Sequence, residues 1–169
     1  MAAKLRHLAL CVKDIDVSAA FYAKAFGMKQ TEKHEGKTAW AVYMSDGEMN
    51  LALLQYKGEV GSGVPKGWTG IHHFGFQCDD IPSAQKKVEA AGGKFFFDLN
   101  EPEDDGFERK FKDPDGIVFD INWKGWPLTK SKIKNAKGGL VPATNRAAAA
   151  RKKVSKKTAK VGKMARKKK

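Results

Sequence analysis

The sequence carries one strand–helix pattern twice, and this repeat limits the possible folds more than any other feature. The segment RHLALCVKDIDVSAAFYAKAFGM aligns with HHFGFQCDDIPSAQKKVEAAGGK at a constant offset. Four landmarks coincide in the alignment: His7 with His73, Asp14 with Asp80, Ile15 with Ile81, and Gly27 with Gly93. Each copy predicts a strand, an aspartate that begins a helix of about three turns, and a glycine that ends it. Four coincidences at one offset favour duplication over chance, so we expect two similar halves.

Further strand-like segments follow each predicted helix. The first half has two, at about 37–44 and 49–56, and the second has three, at about 94–99, 107–112 and 117–123. The turn Asp113-Pro114-Asp115-Gly116 precedes the last strand, and the glycine-rich stretch 58–70 joins the halves. The sequence therefore predicts an α+β fold. Its two βαβββ modules, about 3–57 and 70–126, would form a curved mixed sheet with a concave cavity.

The charge pattern separates a body from a tail. The net charge is +13, but residues 128–169 contain 16 Lys and Arg and no Asp or Glu. Residues 1–127 hold the other 16 basic residues, all 19 acidic residues, and all 10 Phe, 4 Trp and 3 Tyr. We therefore predict one domain over 1–127 that buries a core. We also predict that the Lys/Ala-rich tail, 128–169, is disordered, because it buries too little apolar surface to offset the conformational entropy lost on ordering.

The predicted tail would attract polyanions. Because it has no aromatic residue, contact with nucleic acid should be independent of base sequence and sensitive to salt. Anionic lipid is an alternative partner, but the tail has no bulky apolar anchor, so we expect no membrane insertion. A third possibility, a purely solubilising extension, stays open.

Cysteine content and hydropathy favour a cytoplasmic protein. Cys11 and Cys78 are far apart and form no CxxC pattern, which predicts reduced thiols. The apolar run at the N-terminus is too short for a signal peptide, and no stretch reaches the roughly 18 apolar residues of a membrane span. Association with the nucleoid through the tail is left open.

Alternation along the strands predicts which side chains face the helices. The helix side should carry Leu8, Leu10, Val12, Leu51, Leu53, Phe74, Phe76, Cys78, Ile117, Phe119, Ile121 and Trp123. The opposite, helix-free face should carry His7, Cys11, Asn50, Ala52, His73, Gln77, Asp120 and Asn122. A concave sheet face lined by small and polar groups is a candidate ligand cavity.

Three residues on that face form a possible metal site. His7, His73 and Asp120 supply two imidazoles and one carboxylate, a set suited to Fe and also to Mn, Ni or Zn. The alternative is that each is an isolated polar residue. His72 is a rival for His73, but alternation places it on the helix side.

The chain resembles the glyoxalase/bleomycin-resistance/extradiol-dioxygenase (vicinal oxygen chelate) superfamily over about residues 3–126. The resemblance lies in RHLALCVKDID with FYAKAFGM, GIHHFGFQCDDI with VEAAGG, and FKDPDGIVFDIN. It implies a glyoxalase-like fold whose metal ligands come from the first and last strands of each half. His7 and His73 match the two first-strand histidines, and Asp120 stands where a glutamate usually follows DPDG.

The fourth ligand position of the family falls on Ala52, which cannot bind metal. This departure puts a lactoylglutathione lyase-like isomerase with four ligands in doubt. Asn50, two residues earlier, could supply an oxygen ligand but is no general base. The remaining three-ligand pattern is similar to extradiol dioxygenases and to fosfomycin-resistance thiol transferases.

Several functions remain open at this point. The first is a divalent-metal-dependent enzyme acting on a small oxygenated or electrophilic molecule. Alternatives are a metal-free protein that sequesters a small molecule such as a drug, an isomerase with an altered ligand set, and a nucleic-acid-associated protein. The resemblance also implies a homodimer. Arg109 could meet an anionic substrate or be a solvated surface charge, and Cys11 could be a reactive thiol or a small buried group.

Overall fold

The computed structural model describes residues 3–58, 65, 67–101, 104 and 106–129. The helices in these residues are α1 (Ile15–Phe26) and α2 (Ile81–Ala90). The strands are β1 (Lys4–Cys11), β2 (Lys29–Gln30), β3 (His34–Glu35), β4 (Ala39–Ser45), β5 (Asn50–Tyr56), β6 (Gly70–Gln77), β7 (Lys94–Leu99), β8 (Glu108–Lys112) and β9 (Val118–Asn122). Apart from its first two residues, the predicted tail lies outside the described residues. Neither described helix has the length and apolar character that a membrane span requires.

The strands form one curved, unclosed mixed sheet in the order β2-β4-β5-β1-β6-β9-β8-β7, with β3 paired to β4. The two halves meet where β1 and β6 pair antiparallel. On its outer side each of these strands pairs in parallel with the last strand of its own half, β5 or β9. This topology confirms the predicted α+β fold of two repeated modules. The short strands β2 and β3 were not predicted.

The repeated aspartates begin both helices, as predicted. Asp14 Oδ1 accepts hydrogen bonds from the backbone N–H groups of Asp16 and Val17, and Asp80 Oδ1 accepts one from Ser83. These bonds satisfy amides that have no partner inside a helix. The helix ends differ between the halves. Gly27 ends α1 in the left-handed conformation (φ 65°), whereas α2 ends at Ala90, before the predicted Gly93.

Two apolar clusters lie between the helices and the sheet, one in each half. Leu8, Leu10 and Val12 pack into the first cluster, and Phe119, Ile121 and Trp123 belong to the second, as alternation predicted. Ile117 is an exception: it lies in the turn before β9 and is 52% exposed. Strand alternation does not apply there, because the strand begins one residue later.

A β-bulge precedes each strand histidine. Leu5 is opposite Phe76 and His7 is opposite Gly75, so the residue between Leu5 and His7 has no counterpart on β6. The second bulge mirrors the first at the same offset of 66: Ala9 is opposite His73 and Leu10 is opposite Ile71, which leaves the intervening His72 unmatched. A bulge re-aims the side chain that it inserts.

Candidate metal centre

The structure brings His7 of β1, His73 of β6 and Asp120 of β9 together on the helix-free face of the sheet. One donor atom from each lies within 4.8 Å of the others, and all three residues are buried. His7 Nε2 is 3.3 Å from His73 Nε2, and His73 Nε2 is 3.2 Å from Asp120 Oδ2. The pairing of the two central strands positions the histidines, and the parallel pairing of β6 with β9 positions the carboxylate.

These donor atoms fit a small divalent cation. Ligand atoms about 2.0–2.2 Å from one ion at angles near 90–110° lie roughly 2.8–3.6 Å apart, a range that contains the two distances given above. Asp120 Oδ2 is buried and accepts no hydrogen bond, a costly arrangement for a carboxylate oxygen that no cation contacts. Two imidazoles and a carboxylate are also the donors that such ions prefer.

Each imidazole is held by a neighbour through its other nitrogen. His7 Nδ1 donates to Asn50 Oδ1 at 2.7 Å, because an amide oxygen can only accept, and Asn50 Nδ2 donates to the carbonyl of Pro127. His7 Nε2 is therefore unprotonated, and its lone pair is available at the centre. His73 Nδ1 lies 2.6 Å from His72 Nδ1, so one of these rings donates to the other. Such contacts orient metal-binding histidines.

The positions of Asn50 and His72 differ from the sequence-based expectations. Asn50 was considered as an oxygen ligand, but its oxygen is engaged by the ring of His7. His72 was expected on the helix side. The bulge turns it instead into the cavity, where its ring also packs against Tyr56.

A buried ion pair beside the centre was not predicted. The ammonium of Lys110 donates to Asp120 Oδ1 at 2.8 Å and to Glu108 Oε2 at 3.0 Å. Glu108 Oε1 accepts from the indole N–H of Trp126 at 2.6 Å, and that indole stacks on His7 with ring centroids 4.7 Å apart. Alternation along β8 places Glu108 and Lys110 on one face, which the sequence could have indicated. The charged run FERKFKDPDG, however, is typical of an exposed segment.

The electrostatics of the site keep the imidazoles of His7 and His73 neutral. Burial lowers the pKa of His7, and burial with repulsion from Lys110 lowers that of His73 to about 3. Both rings are thus neutral near pH 7, the state that coordinates metal. Burial opposes the charge of Lys110, but Glu108 and Asp120 raise its pKa. Burial, then repulsion from Glu108, raises the pKa of Asp120, which a cation at Oδ2 would reverse.

The two histidines open into a cavity of about 440 Å³, hereafter the ligand cavity. The described residues that line it are His7, Thr38, Ala39, Tyr43, Ala52, Leu54, Tyr56, His72, His73, Phe96, Phe97, Leu99, Glu108, Lys110 and Val118. The polar groups gather around the centre, and the rest of the wall is apolar or aromatic. This combination suits a small organic molecule with a polar end.

Strand register identifies Ala52 as the first-half counterpart of Asp120. Ala52 is opposite Ala9 on β1, and Asp120 is opposite Gly75 on β6. Ala9 and Gly75 are themselves related by the repeat offset. The position that supplies a carboxylate in one half therefore carries only a methyl group in the other, which leaves three candidate ligands.

Other residues considered from the sequence lie elsewhere. Arg109 does not reach the ligand cavity: it is 1% exposed on the helix side, where it forms a two-fold ion pair with Asp98. It is therefore neither a substrate contact nor a surface charge. Asn122 binds the backbone of the turn that follows β9, and Gln77 is buried on β6. Cys11 lines a separate pocket, and burial raises its thiol pKa to about 11, so it is not a thiolate near pH 7.

Comparison with known proteins agrees with this geometry. Residues 4–121 match the family model described as Glyoxalase/Bleomycin resistance protein/Dioxygenase superfamily. The chain is 31% identical over 118 residues to metallothiol transferase FosB of Bacillus licheniformis, covering 70% of this chain and 73% of that protein. It is 28% identical over 123 residues to lactoylglutathione lyase GLX1 of Arabidopsis thaliana, covering 70% and 44%. Methylmalonyl-CoA epimerase from Mycobacterium tuberculosis shares the fold, with a TM-score of 0.57 and 15% identity over 69% of this chain and 85% of that chain.

Proposed function

Because the chain belongs to the Glyoxalase/Bleomycin resistance protein/Dioxygenase superfamily, we propose that it is a divalent-metal-dependent enzyme acting on a small oxygenated or electrophilic molecule. His7, His73 and Asp120 are the proposed ligands, and Fe, Mn, Ni and Zn suit them. The observation that carries the proposal is the buried Asp120 Oδ2, which accepts no hydrogen bond and lies 3.2 Å from His73 Nε2. When bound, the ion supplies a Lewis acid for a substrate oxygen.

The residues around the centre have separate tasks in this proposal. Asn50 and His72 keep the two imidazoles in the orientation that presents Nε2 to the ion. The apolar and aromatic wall of the ligand cavity excludes water from the bound molecule, which strengthens electrostatic interactions there. Lys110 holds the second oxygen of Asp120, so only Oδ2 is free for the ion.

The three-ligand set favours a dioxygenase-like or thiol-transferase-like reaction over an isomerase. The relative from Bacillus licheniformis is named a metallothiol transferase, which supports metal chemistry on an electrophile. A lactoylglutathione lyase-like isomerase has less support, because the register places Ala52 where such a reaction needs a carboxylate. Tyr43, which is opposite Ala52, also cannot supply one.

A second candidate function is metal-free binding of a small molecule, as in sequestration of a drug. The ammonium of Lys110 favours it, because this buried cation already contacts Asp120 and lies 3.5 Å from His73 Nε2. Lys110 could then balance the charge of Asp120 without an ion. The predominantly apolar ligand cavity would serve such binding equally well.

Metal analysis distinguishes the two functions. Protein stripped with a chelator, reloaded with Mn²⁺ and desalted should retain one ion per chain. His73→Ala should lower Mn²⁺ affinity by about tenfold or more. Loss of a hydrogen bond that only orients a metal ligand already lowers affinity by about that factor. His34→Ala removes an exposed histidine of β3 and is the matched control. If the wild type binds no stoichiometric Mn²⁺, Fe²⁺, Ni²⁺ or Zn²⁺, the enzyme proposal fails.

The metal-free candidate has its own test. Thermal denaturation against a panel of small molecules should be run with and without a chelator. Sequestration predicts stabilisation that persists in the chelator. Stabilisation that appears only with a bound ion contradicts sequestration and supports the metal-dependent site.

We also propose that the protein is a cytoplasmic homodimer, since paired subunits are common among superfamily members. Light scattering of the full chain tests the dimer, and a monomeric mass would reject it. Contact between the tail and polyanions stays a prediction, because the tail lies almost wholly outside the described residues. The relatives named above lend no support to association with the nucleoid.

A further inference from the structure

Lys110 has one hydrogen-bond donor more than its carboxylate partners use. An ammonium carries three N–H groups, and two of them are directed at Asp120 Oδ1 and Glu108 Oε2. The next acceptor is His73 Nε2 at 3.5 Å, but the lone pair of this atom would bind the proposed metal ion. With the ion present, the third N–H is left facing the ligand cavity, which Lys110 helps to line.

The charges around the centre do not balance once an ion is bound. With an ion bound at Oδ2, Asp120 is ionised, so Glu108 and Asp120 each contribute one negative charge, Lys110 contributes one positive charge, and the two imidazoles are neutral. Together with a divalent ion, the cluster then carries a net charge of +1. A buried net charge is costly unless a counterion neutralises it. A bound monoanion would neutralise this one.

We infer that the ligand cavity takes a small organic anion whose ionised oxygen binds between the metal ion and the ammonium of Lys110. This inference rests on the proposed metal-dependent function. The organic part of the anion would lie against the aromatic wall formed by Phe96, Phe97 and Tyr43. Carboxylates, enolates and phenolates with a second oxygen nearby belong to this class, because both oxygens can reach the ion.

Lys110 is the residue placed to select the anion. Of the described residues that line the ligand cavity, it alone carries a permanent positive charge. Arg109 points to the other side of the sheet, toward Asp98. The ammonium of Lys112 lies over the ring of Phe96, 4.2 Å from its centroid. Charge-assisted hydrogen bonds to Lys110 would add both affinity and orientation.

Three probes of one shape test the charge of the ligand. Oxamide, oxamate and oxalate can all chelate through two oxygens, and they carry charges of 0, −1 and −2. Calorimetric titration of the Mn²⁺-loaded full chain should show oxamate binding at least about tenfold more tightly than oxamide, since one charge-assisted bond is worth about that factor. Lys94→Met removes one exposed lysine of β7 and should leave this preference unchanged.

Four forms of the protein separate local charge from hydrogen bonding. Oxamate affinity should fall in the order Glu108→Gln, wild type, the double variant Glu108→Gln with Lys110→Met, and Lys110→Met alone. The double variant keeps the net charge of the wild type but lacks the donor. It also removes the ion pair as a unit, so it can fold where the single variant does not. Lys110→Arg, which keeps charge and donors, should retain the preference for oxamate over oxamide.

Metal content is measured on every sample, so that failures can be assigned. Normal Mn²⁺ binding with equal oxamate affinity in the wild type and the double variant would overturn the role of Lys110 and leave the proposed function intact. No Mn²⁺ binding in the wild type, with tight binding in Lys110→Met, would show that Lys110 is itself the resident cation. That outcome would overturn both proposals.

Discussion

The two halves share one backbone plan but direct different chemistry into the ligand cavity. On β4 and β5 of the first half, Tyr43 is opposite Ala52. At the matching place on β8 and β9 of the second half, Lys110 is opposite Asp120. Among the described residues that line the ligand cavity, the first half therefore contributes His7 and no carboxylate or ammonium. The second half contributes two histidines and the charged groups, as well as Phe96 and Phe97 of the aromatic wall.

This difference shows that the duplicated backbone and the chemistry of the site are determined by different residues. The repeat fixes the geometry: both first strands meet at the centre, and a bulge precedes each strand histidine. The chemistry of the site then depends on a few side chains at matching positions, which can diverge without altering the sheet. The candidate metal centre accordingly has three donor residues, because only one of two equivalent positions carries a carboxylate.

The largest expected effect comes from removing the cation of the second half. Lys110→Met leaves Glu108 and Asp120 as buried carboxylates without their ammonium, and breaking a buried ion pair in this way costs about 3–5 kcal/mol. The matching change in the first half, Tyr43→Phe, removes a hydroxyl and should cost no more than about 1 kcal/mol. Urea denaturation of metal-free protein measures both free energies of unfolding.

Adding a divalent ion should restore part of the stability of Lys110→Met, because the ion replaces the lost positive charge beside Asp120. If Lys110→Met costs no more than Tyr43→Phe in metal-free protein, the two halves do not differ electrostatically in the way described.

A smaller effect is expected where the halves differ in packing. A β-carbon on Gly75 would lie 2.6 Å from the ring of Trp126 and 3.1 Å from His7 Cβ, whereas the first half accommodates the methyl group of Ala9. Gly75→Ala should therefore destabilise the protein by about 1–3 kcal/mol and weaken Mn²⁺ binding, since Trp126 stacks on His7.

Gly58→Ala is the control for this prediction, because its β-carbon would meet no atom within 4 Å. Equal stabilities for Gly75→Ala and Gly58→Ala would mean that Trp126 moves aside freely. In that case its stacking could not be what positions His7.

Much of the fold could be predicted because it is encoded in local, repeated signals. Asp14 and Asp80 begin helices through their own side chains, which any sequence reading can detect. Alternation also placed His7, His73 and Asp120 on one face. It failed at His72, because a bulge depends on how two distant strands pair and leaves no pattern in either strand alone.

The charged groups of the site were hidden for a related reason. Glu108, Arg109 and Lys110 are consecutive and all buried, yet a run of charges is normally found at the surface. Their partners, Asp98 and Asp120, lie about ten residues away on neighbouring strands. Only the pairing of β7, β8 and β9 shows that these charges neutralise one another.

The last predicted effect concerns protonation of His73. The pKa of His73 is about 3 in the folded protein, compared with 6.5 for an isolated histidine side chain. Below pH 6.5 the unfolded chain therefore binds a proton at His73, whereas the folded protein does not bind one until the pH is near 3. The contribution of His73 to stability is thus fully present above pH 6.5 and is lost as the pH falls toward 3. Metal-free wild type should lose about 1.4 kcal/mol per pH unit more than His73→Asn between about pH 6 and 4. His34→Asn, which changes an exposed histidine, provides the control for general acid effects. Parallel pH profiles for the wild type and His73→Asn would mean that His73 accepts a proton in the folded state, contrary to its burial beside Lys110.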